Sequence, residues 1–179
     1  SATFNYNGEE SPISGGIDLF YQNMAHSHSI IKQLHAKEKK GGLSDVEHRS
    51  LGEAFFMRGM AHFWIAYRYG TKAQGGSFVR YEDFEGDYDN SIPPQQASVI
   101  DNYKFIIEDM DNAISYLPKF EEYSDADKGR AHKAAAVAYK AKVYAYWATW
   151  DETQWNNVIA MVNSLETDYG RGLADTFAE

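Results

Sequence analysis

Apolar side chains recur every three or four residues over most of this chain, which is the spacing of one face of an α-helix. Five such segments are separated by glycines, prolines or polar stretches. No segment alternates apolar and polar residues over the length of a strand. The pattern therefore predicts an all-α fold built from five main helices with long loops.

The first two periodic segments predict a helical hairpin. The first runs from about Ile17 to Glu38 and stops at Gly41-Gly42. Ser44 and Glu47 follow with the spacing of a capping box, in which each side chain accepts the other residue's backbone N–H. A second helix should begin there and extend to about Tyr69. Its apolar residues point in several directions, which predicts a place in the middle of the helical stack.

The last three segments predict helices three to five. The third follows Ser98 and ends at Pro118. The fourth carries what we call the alanine seam, a row of small side chains that lets a neighbouring helix approach to the short end of the usual range of about 8–10 Å. Ala138→Leu or Ala141→Leu should then cost about 1–3 kcal/mol of stability. The seam comprises Ala131, Ala134, Ala138, Ala141, Ala145 and Ala148.

The organisation of the chain is that of one helical domain over residues 1–179. Its length and its hydrophobic content of 44% are sufficient for a sizeable core. As hairpins, helix one pairs with helix two and helix three with helix four, which leaves helix five without a partner in the sequence. Because the ends of helical repeat stacks normally need capping, we expect a fragment of a longer protein.

Residues 71–97 lose the helical period and form a long loop of the kind that often carries function. Aromatic and acidic residues alternate in it. Aromatic faces stack on the apolar faces of sugar rings, and carboxylates accept hydrogen bonds from sugar hydroxyls. The alternative is that the rings only attach the loop to the helices. The candidate ligand-binding residues are Phe78, Tyr81, Phe84 and Tyr88, among Glu82, Asp83, Glu85 and Asp87.

Composition excludes several classes of function. A net charge of −9 repels nucleic acid and anionic lipid surfaces. The chain has no cysteine, and its six histidines lack the spacing of metal ligands. No phosphate-binding loop or nucleophile elbow is present. We therefore predict no metal, no cofactor and no catalysis, and we expect Trp150 and Trp155 to pack within the last hairpin.

Several motifs, in order, resemble the SusD/RagB family. Residues 52–59, GEAFFMRG, look like its Glu-Ala-x-Phe-Leu-Arg-Ala element, with Met57 in place of Leu and Gly59 in place of Ala. The helix then continues to Tyr69-Gly70, as in the family. Residues 129–135, GRAHKAA, and residues 141–146, AKVYAY, are similar to its Gly-Arg-Ala-Thr-Lys-x-Ala-Ala and Ala-Arg-Val-Tyr-Leu-Tyr elements. The resemblance covers the chain from about residue 17 and implies the tetratricopeptide-like helical hairpins of the SusD-like α-superhelix.

By this resemblance, the full protein is a non-catalytic lipoprotein on the outward-facing surface of the outer membrane of a Gram-negative bacterium. It would bind glycans or similar nutrients and act as a lid on a SusC-type TonB-dependent transporter. Its membrane contact would be an N-terminal lipid anchor absent from this chain. The family's ligand residues vary, so none is carried over. Two other classes remain open, a tetratricopeptide-type protein-interaction scaffold and a hydrolase whose catalytic half lies beyond Glu179.

Overall fold

The computed structural model describes residues 12–87, 91 and 93–172, and within them the protein is helical. The described ranges contain no strand, only two isolated bridges and three short 3-10 turns. The predicted all-α class and the five main helices are confirmed. These are α1 (Pro12–Gly41), α2 (Asp45–Tyr69), α3 (Val99–Tyr116), α4 (Lys133–Trp147) and α5 (Trp155–Tyr169).

The helix starts follow from capping side chains. At α2 the Ser44 hydroxyl accepts the backbone N–H of Glu47, and a Glu47 carboxylate oxygen accepts that of Ser44 at 3.0 Å, so the predicted capping box is confirmed. Ser98 caps α3 in the predicted place. The α4 cap is His132, whose Nδ1 accepts the backbone N–H of Ala135 at 3.2 Å. Histidine is outside the usual set of cap residues, so this start carries little sequence signal.

Each helix packs against the next one along the chain, and α2 and α4 also touch. The second helix contacts α1, α3 and α4, and it buries side chains on several sides. Its predicted central place is thereby confirmed. The core lies mainly between α2, α3 and the neighbouring faces of α1 and α4, and its members include Ile31, Leu51, Phe55, Phe63, Tyr103, Ile106, Met110, Leu117 and Val143.

Two glycines set the distance between α2 and α3. A Cβ atom at Gly52 would lie 2.9 Å from both Cγ and the backbone N of Leu117. A Cβ atom at Gly59 would lie 2.7 Å from Cε of Met110 and 3.2 Å from Cβ of Asp109. The two glycines are seven residues apart and therefore share a face of α2. Close approach at this interface depends on the absence of these two side chains.

The alanine seam is buried only in part. Ala134, Ala141 and Ala148 are 5%, 7% and 3% exposed, as tight packing requires. Ala138 is exposed and lines a groove between α4 and α5 together with Val162 of α5. The expectation that Ala138→Leu forces helices apart is therefore wrong, because a longer side chain there has an open groove to enter.

The last helix keeps an apolar face in contact with solvent. No residue of α5, all of which is described, is buried. Ile159 and Val162 are 58% and 52% exposed. Trp150 and Trp155, expected to pack within the hairpin, are 42% and 49% exposed, so that expectation is wrong. The Trp150 ring instead lies beside Lys72, whose Nζ is 5.7 Å from the centre of the ring.

Candidate ligand-binding segment

Backbone hydrogen bonds join the two ends of the segment between α2 and α3. We call the paired residues, 75–79 and 94–96, the stem. Gly75 donates its backbone N–H to the carbonyl of Gln96 at 2.7 Å, and Gln96 donates to the carbonyl of Ser77 at 2.9 Å. One step further, Val79 donates to the carbonyl of Pro94 at 2.9 Å. The two ends of the excursion are thus paired with each other, which the irregular sequence pattern did not predict.

A buried polar chain attaches this stem to α2 and α3. The amide of Asn102 donates to the carbonyl of Gly75, and its oxygen accepts the hydroxyl proton of Ser77 at 2.9 Å. Nδ1 of His62 lies 2.7 Å from that same hydroxyl oxygen. Because the single proton of Ser77 is already donated to Asn102, His62 must carry its proton on Nδ1 and donate it. Burial, with Arg58 and Arg80 nearby, lowers the pKa of His62 well below its usual range, which keeps the ring neutral.

Two of the predicted rings face the first helix. The Phe78 ring is half-buried and lies 5.2 Å from that of Tyr21 on α1. The Tyr81 ring, also half-buried, meets the His28 ring of α1 edge-on at 4.0 Å. These contacts agree with the alternative interpretation, in which the aromatic residues attach the segment to the helices.

The other two predicted rings lie further along the segment. The Phe84 ring is half-buried and passes close over Gly86, where an added Cβ atom would meet ring carbon Cζ at 2.3 Å. The fourth candidate, Tyr88, lies outside the described residues. Phe84 directly follows residues 80–83, and its half-buried ring stays a candidate for ligand contact.

The acidic residues of the segment have different surroundings. Glu82 and Asp83 form ion pairs with Arg58 and Arg80. Glu85 is exposed and forms no ion pair with any residue in the described ranges. Carboxylates already held by arginine are less available to sugar hydroxyls, so Glu82 and Asp83 serve the structure of the segment, whereas the Glu85 carboxylate faces solvent.

Other sites are not indicated in the part of the chain that the structure describes. Within residues 12–87, 91 and 93–172, no three histidine, aspartate or glutamate side chains are grouped so that they could hold a metal ion. Across the same ranges, no helix combines the length and the apolar character needed to cross a bilayer.

Comparisons with known proteins identify the family. The family model described as "Starch-binding associating with outer membrane" matches residues 6–145, which is most of the chain. The chain belongs to the SusD-like family. A SusD-like protein of Bacteroides ovatus is 26% identical over 149 residues, covering 83% of this chain and 25% of that protein.

Solved structures agree with the fold. A crystal structure with a xylogluco-oligosaccharide is 26% identical, with a TM-score of 0.68, and the match covers 90% of this chain and 30% of that one. A SusD homologue from Bacteroides thetaiotaomicron has a TM-score of 0.73 at 18% identity, over 94% of this chain and 32% of that one. This chain thus spans about a quarter to a third of the SusD-like proteins it matches, and its helices correspond to their helical fold.

Sequence reasoning missed the residues that anchor the segment. Arg58 stands in the sequence only as part of the motif GEAFFMRG, and no pattern along the third helix singles out Asp109. The structure buries both, at 2% and 0% exposure, and pairs them. A signal was present, since a charged residue between apolar neighbours on a central helix needs a buried partner. The partner itself lies 51 positions away, and spacing along one helix does not reveal it.

Proposed function

We propose that the full-length protein containing this chain is a non-catalytic binding protein. It captures glycans on the outward-facing surface of the outer membrane and delivers them to a SusC-type TonB-dependent transporter. Two observations support this most: the match to the family model, and the likeness in fold to a protein whose crystal structure was solved with a xylogluco-oligosaccharide. The helices act as the scaffold, and the segment of residues 71–97 supplies sugar contacts.

Within the segment, the proposal assigns the ligand contacts to aromatic residues. Phe84 is tested first, because its half-buried ring directly follows residues that ion pairs attach to α2 and α3, namely Arg80 and Glu82. Phe78, Tyr81 and Tyr88 remain candidates whose rings could add stacking surface. A half-exposed ring carried on an anchored backbone is suited to this role, since little freedom is lost when a sugar stacks on it.

The alternative function, a tetratricopeptide-type protein-interaction scaffold, is favoured by a different observation. The groove between α4 and α5 is lined by Ala134, Ala138, Val162 and Leu165 and could accept an apolar peptide. A peptide scaffold of this kind would not depend on Phe84. The two functions therefore predict different effects of the same substitution.

Titration calorimetry on the full-length protein tests the proposal, with xylogluco-oligosaccharide and malto-oligosaccharide as probes. Phe84→Ala should weaken binding about five- to tenfold, because it removes one stacking face, with an unchanged melting temperature. Trp155→Ala is the matched control, since it removes an exposed ring of α5, outside the segment. No binding of either sugar by the parent protein, or equal affinity of parent and Phe84→Ala, would contradict the assignment.

Two further measurements address catalysis and the transporter. Incubation of the bound sugar with the protein should yield no shorter products, because we propose binding without bond cleavage. The full-length protein should co-purify with a TonB-dependent transporter encoded beside its gene. Absence of such a neighbouring gene, together with no co-purification, would favour the scaffold function.

A further inference from the structure

A short turn within the segment is held by three different helices. The turn consists of residues 80–83, and we call it the 80–83 turn. Arg58 of α2 donates through Nη1 to both carboxylate oxygens of Glu82, at 2.9 and 3.0 Å. Its Nε and Nη2 donate to the two carboxylate oxygens of Asp109 on α3, at 2.9 and 2.7 Å. One guanidinium group thus joins α2, α3 and the turn.

A second arginine completes the attachment from the side of the turn. Arg80 donates through Nη2 to Glu108 and through Nε to Asp83, both at 2.8 Å, and its Nη1 lies 3.8 Å from Asp109. Its guanidinium carbon lies 5.0 Å from the centre of the Phe105 ring of α3. The contact of Tyr81 with α1, described above, holds the third side. The backbone just before Phe84 is therefore attached to α1, α2 and α3.

The energetics of this cluster favour a role in geometry over a role in bulk stability. Removing charges from water is costly, and well-packed apolar residues often stabilise a fold as well as a buried ion pair does. Burial raises the pKa of the Asp109 carboxyl even though Arg58 and Arg80 lie beside it, so the cost of desolvation is substantial here. What an ion pair adds is directionality, because the planar N–H groups of arginine donate to a carboxylate in few orientations.

We infer that Arg58 is a positioning residue for ligand binding, and that it acts by holding Glu82 so that the 80–83 turn presents Phe84 in a fixed orientation. The inference rests on the proposed function of residues 71–97. Arg58 itself need not touch the sugar. Its effect is to reduce the conformational freedom that the segment would otherwise lose when a ligand binds.

Glu82→Gln is the informative substitution. It weakens the attachment on the segment's side by removing its charge and one of its two acceptor oxygens, while Arg58 keeps its pair with Asp109 and no buried charge is left alone. The Glu82 side chain is 31% exposed, so an amide is tolerated there. Glu85→Gln is the matched control, because it makes the same charge change three residues away at an exposed position without an ion pair to any described residue.

Hydrogen exchange and calorimetry on the full-length protein test the inference together. In Glu82→Gln, amides of residues 78–87 should exchange about three- to tenfold faster than in the parent, while amides of α3 are unchanged. Affinity for xylogluco-oligosaccharide should fall by a similar factor at an unchanged melting temperature. Glu85→Gln should match the parent in exchange.

The possible outcomes separate this inference from the proposed function. If Glu82→Gln exchanges like the parent, Arg58 does not hold the turn and the inference is overturned. It is also overturned if exchange accelerates while affinity is unchanged and Phe84→Ala still weakens binding, a result that leaves the proposed function standing. If Phe84→Ala and Glu82→Gln both bind like the parent, the ligand assignment of the segment fails and the positioning role fails with it.

Discussion

Gly52→Ala tests whether the α2–α3 interface depends on the missing side chain. In a helix interior, alanine is more favourable than glycine by about 0.5–1 kcal/mol. At Gly52 the added Cβ atom would lie 2.9 Å from the backbone N of Leu117. Backbone cannot rotate away as a side-chain tip can, so α2 and α3 must separate by about 0.5 Å to restore ordinary contact. Such overpacking costs about 1–3 kcal/mol.

The cost of overpacking therefore exceeds the gain in helix propensity, and we expect Gly52→Ala to destabilise the protein by about 0.5–2 kcal/mol. Gly59→Ala should cost less, because its shortest contact is with Cε of Met110, the end of a flexible side chain. Gly41→Ala is the control at the end of α1, where a Cβ atom meets nothing within 4 Å. It should be neutral or slightly stabilising.

Urea unfolding followed by circular dichroism measures all three variants on one scale. Equal slopes with a lower midpoint for Gly52→Ala would show a loss of stability without a change in the unfolded state. The reasoning is refuted if Gly52→Ala is as stable as Gly41→Ala. That result would mean that the interface relaxes freely and that the close approach of the helices is incidental.

Three other predictions follow from buried positions. Ala141→Leu should lower the free energy of unfolding by about 1–3 kcal/mol while Ala138→Leu leaves it nearly unchanged; equal effects in urea unfolding would contradict the difference in burial. Stability should fall as pH drops below about 6.5, because unfolded His62 binds a proton that the folded state resists, and His62→Phe should flatten this part of the pH profile. Arg58→Met should cost about 3–5 kcal/mol, because it leaves the Asp109 carboxylate buried without its main partner; a calorimetric melt in which Arg58→Met with Asp109→Leu is no more stable than the single variant would oppose this explanation.

The helices could be predicted from the sequence because their signals are local. Apolar spacing and the caps at Ser44 and Ser98 act within a few residues, and both caps are confirmed. The cap at His132 escaped prediction because histidine rarely serves there. Ala138 escaped because spacing gives the face of a helix but not what lies opposite that face. Whether Ala138 is covered depends on how α5 packs against α4, which the sequence of α4 alone does not determine.

The candidate segment was only partly predictable, for a related reason. Its place between two helices and its aromatic content follow from local sequence. The pairing of Gly75 with Gln96 and of Arg58 with Asp109 joins residues 21 and 51 positions apart, and no periodicity encodes such contacts. The position of Phe78 against Tyr21 likewise depends on where α1 lies.

The hydrogen-bonded stem at residues 75–79 and 94–96 has a consequence for how such proteins diversify. Because the stem holds its two ends together, the residues between them can lengthen or shorten without moving α2 or α3. Doubling a flexible loop costs only about 0.6 kcal/mol in closure entropy. If residues 71–97 bind sugar as we propose, exchange of the tip alone would change the specificity, provided that an incoming tip keeps a carboxylate where Glu82 meets Arg58. The stem thus allows residues 80–93 to be exchanged while the helices keep their positions.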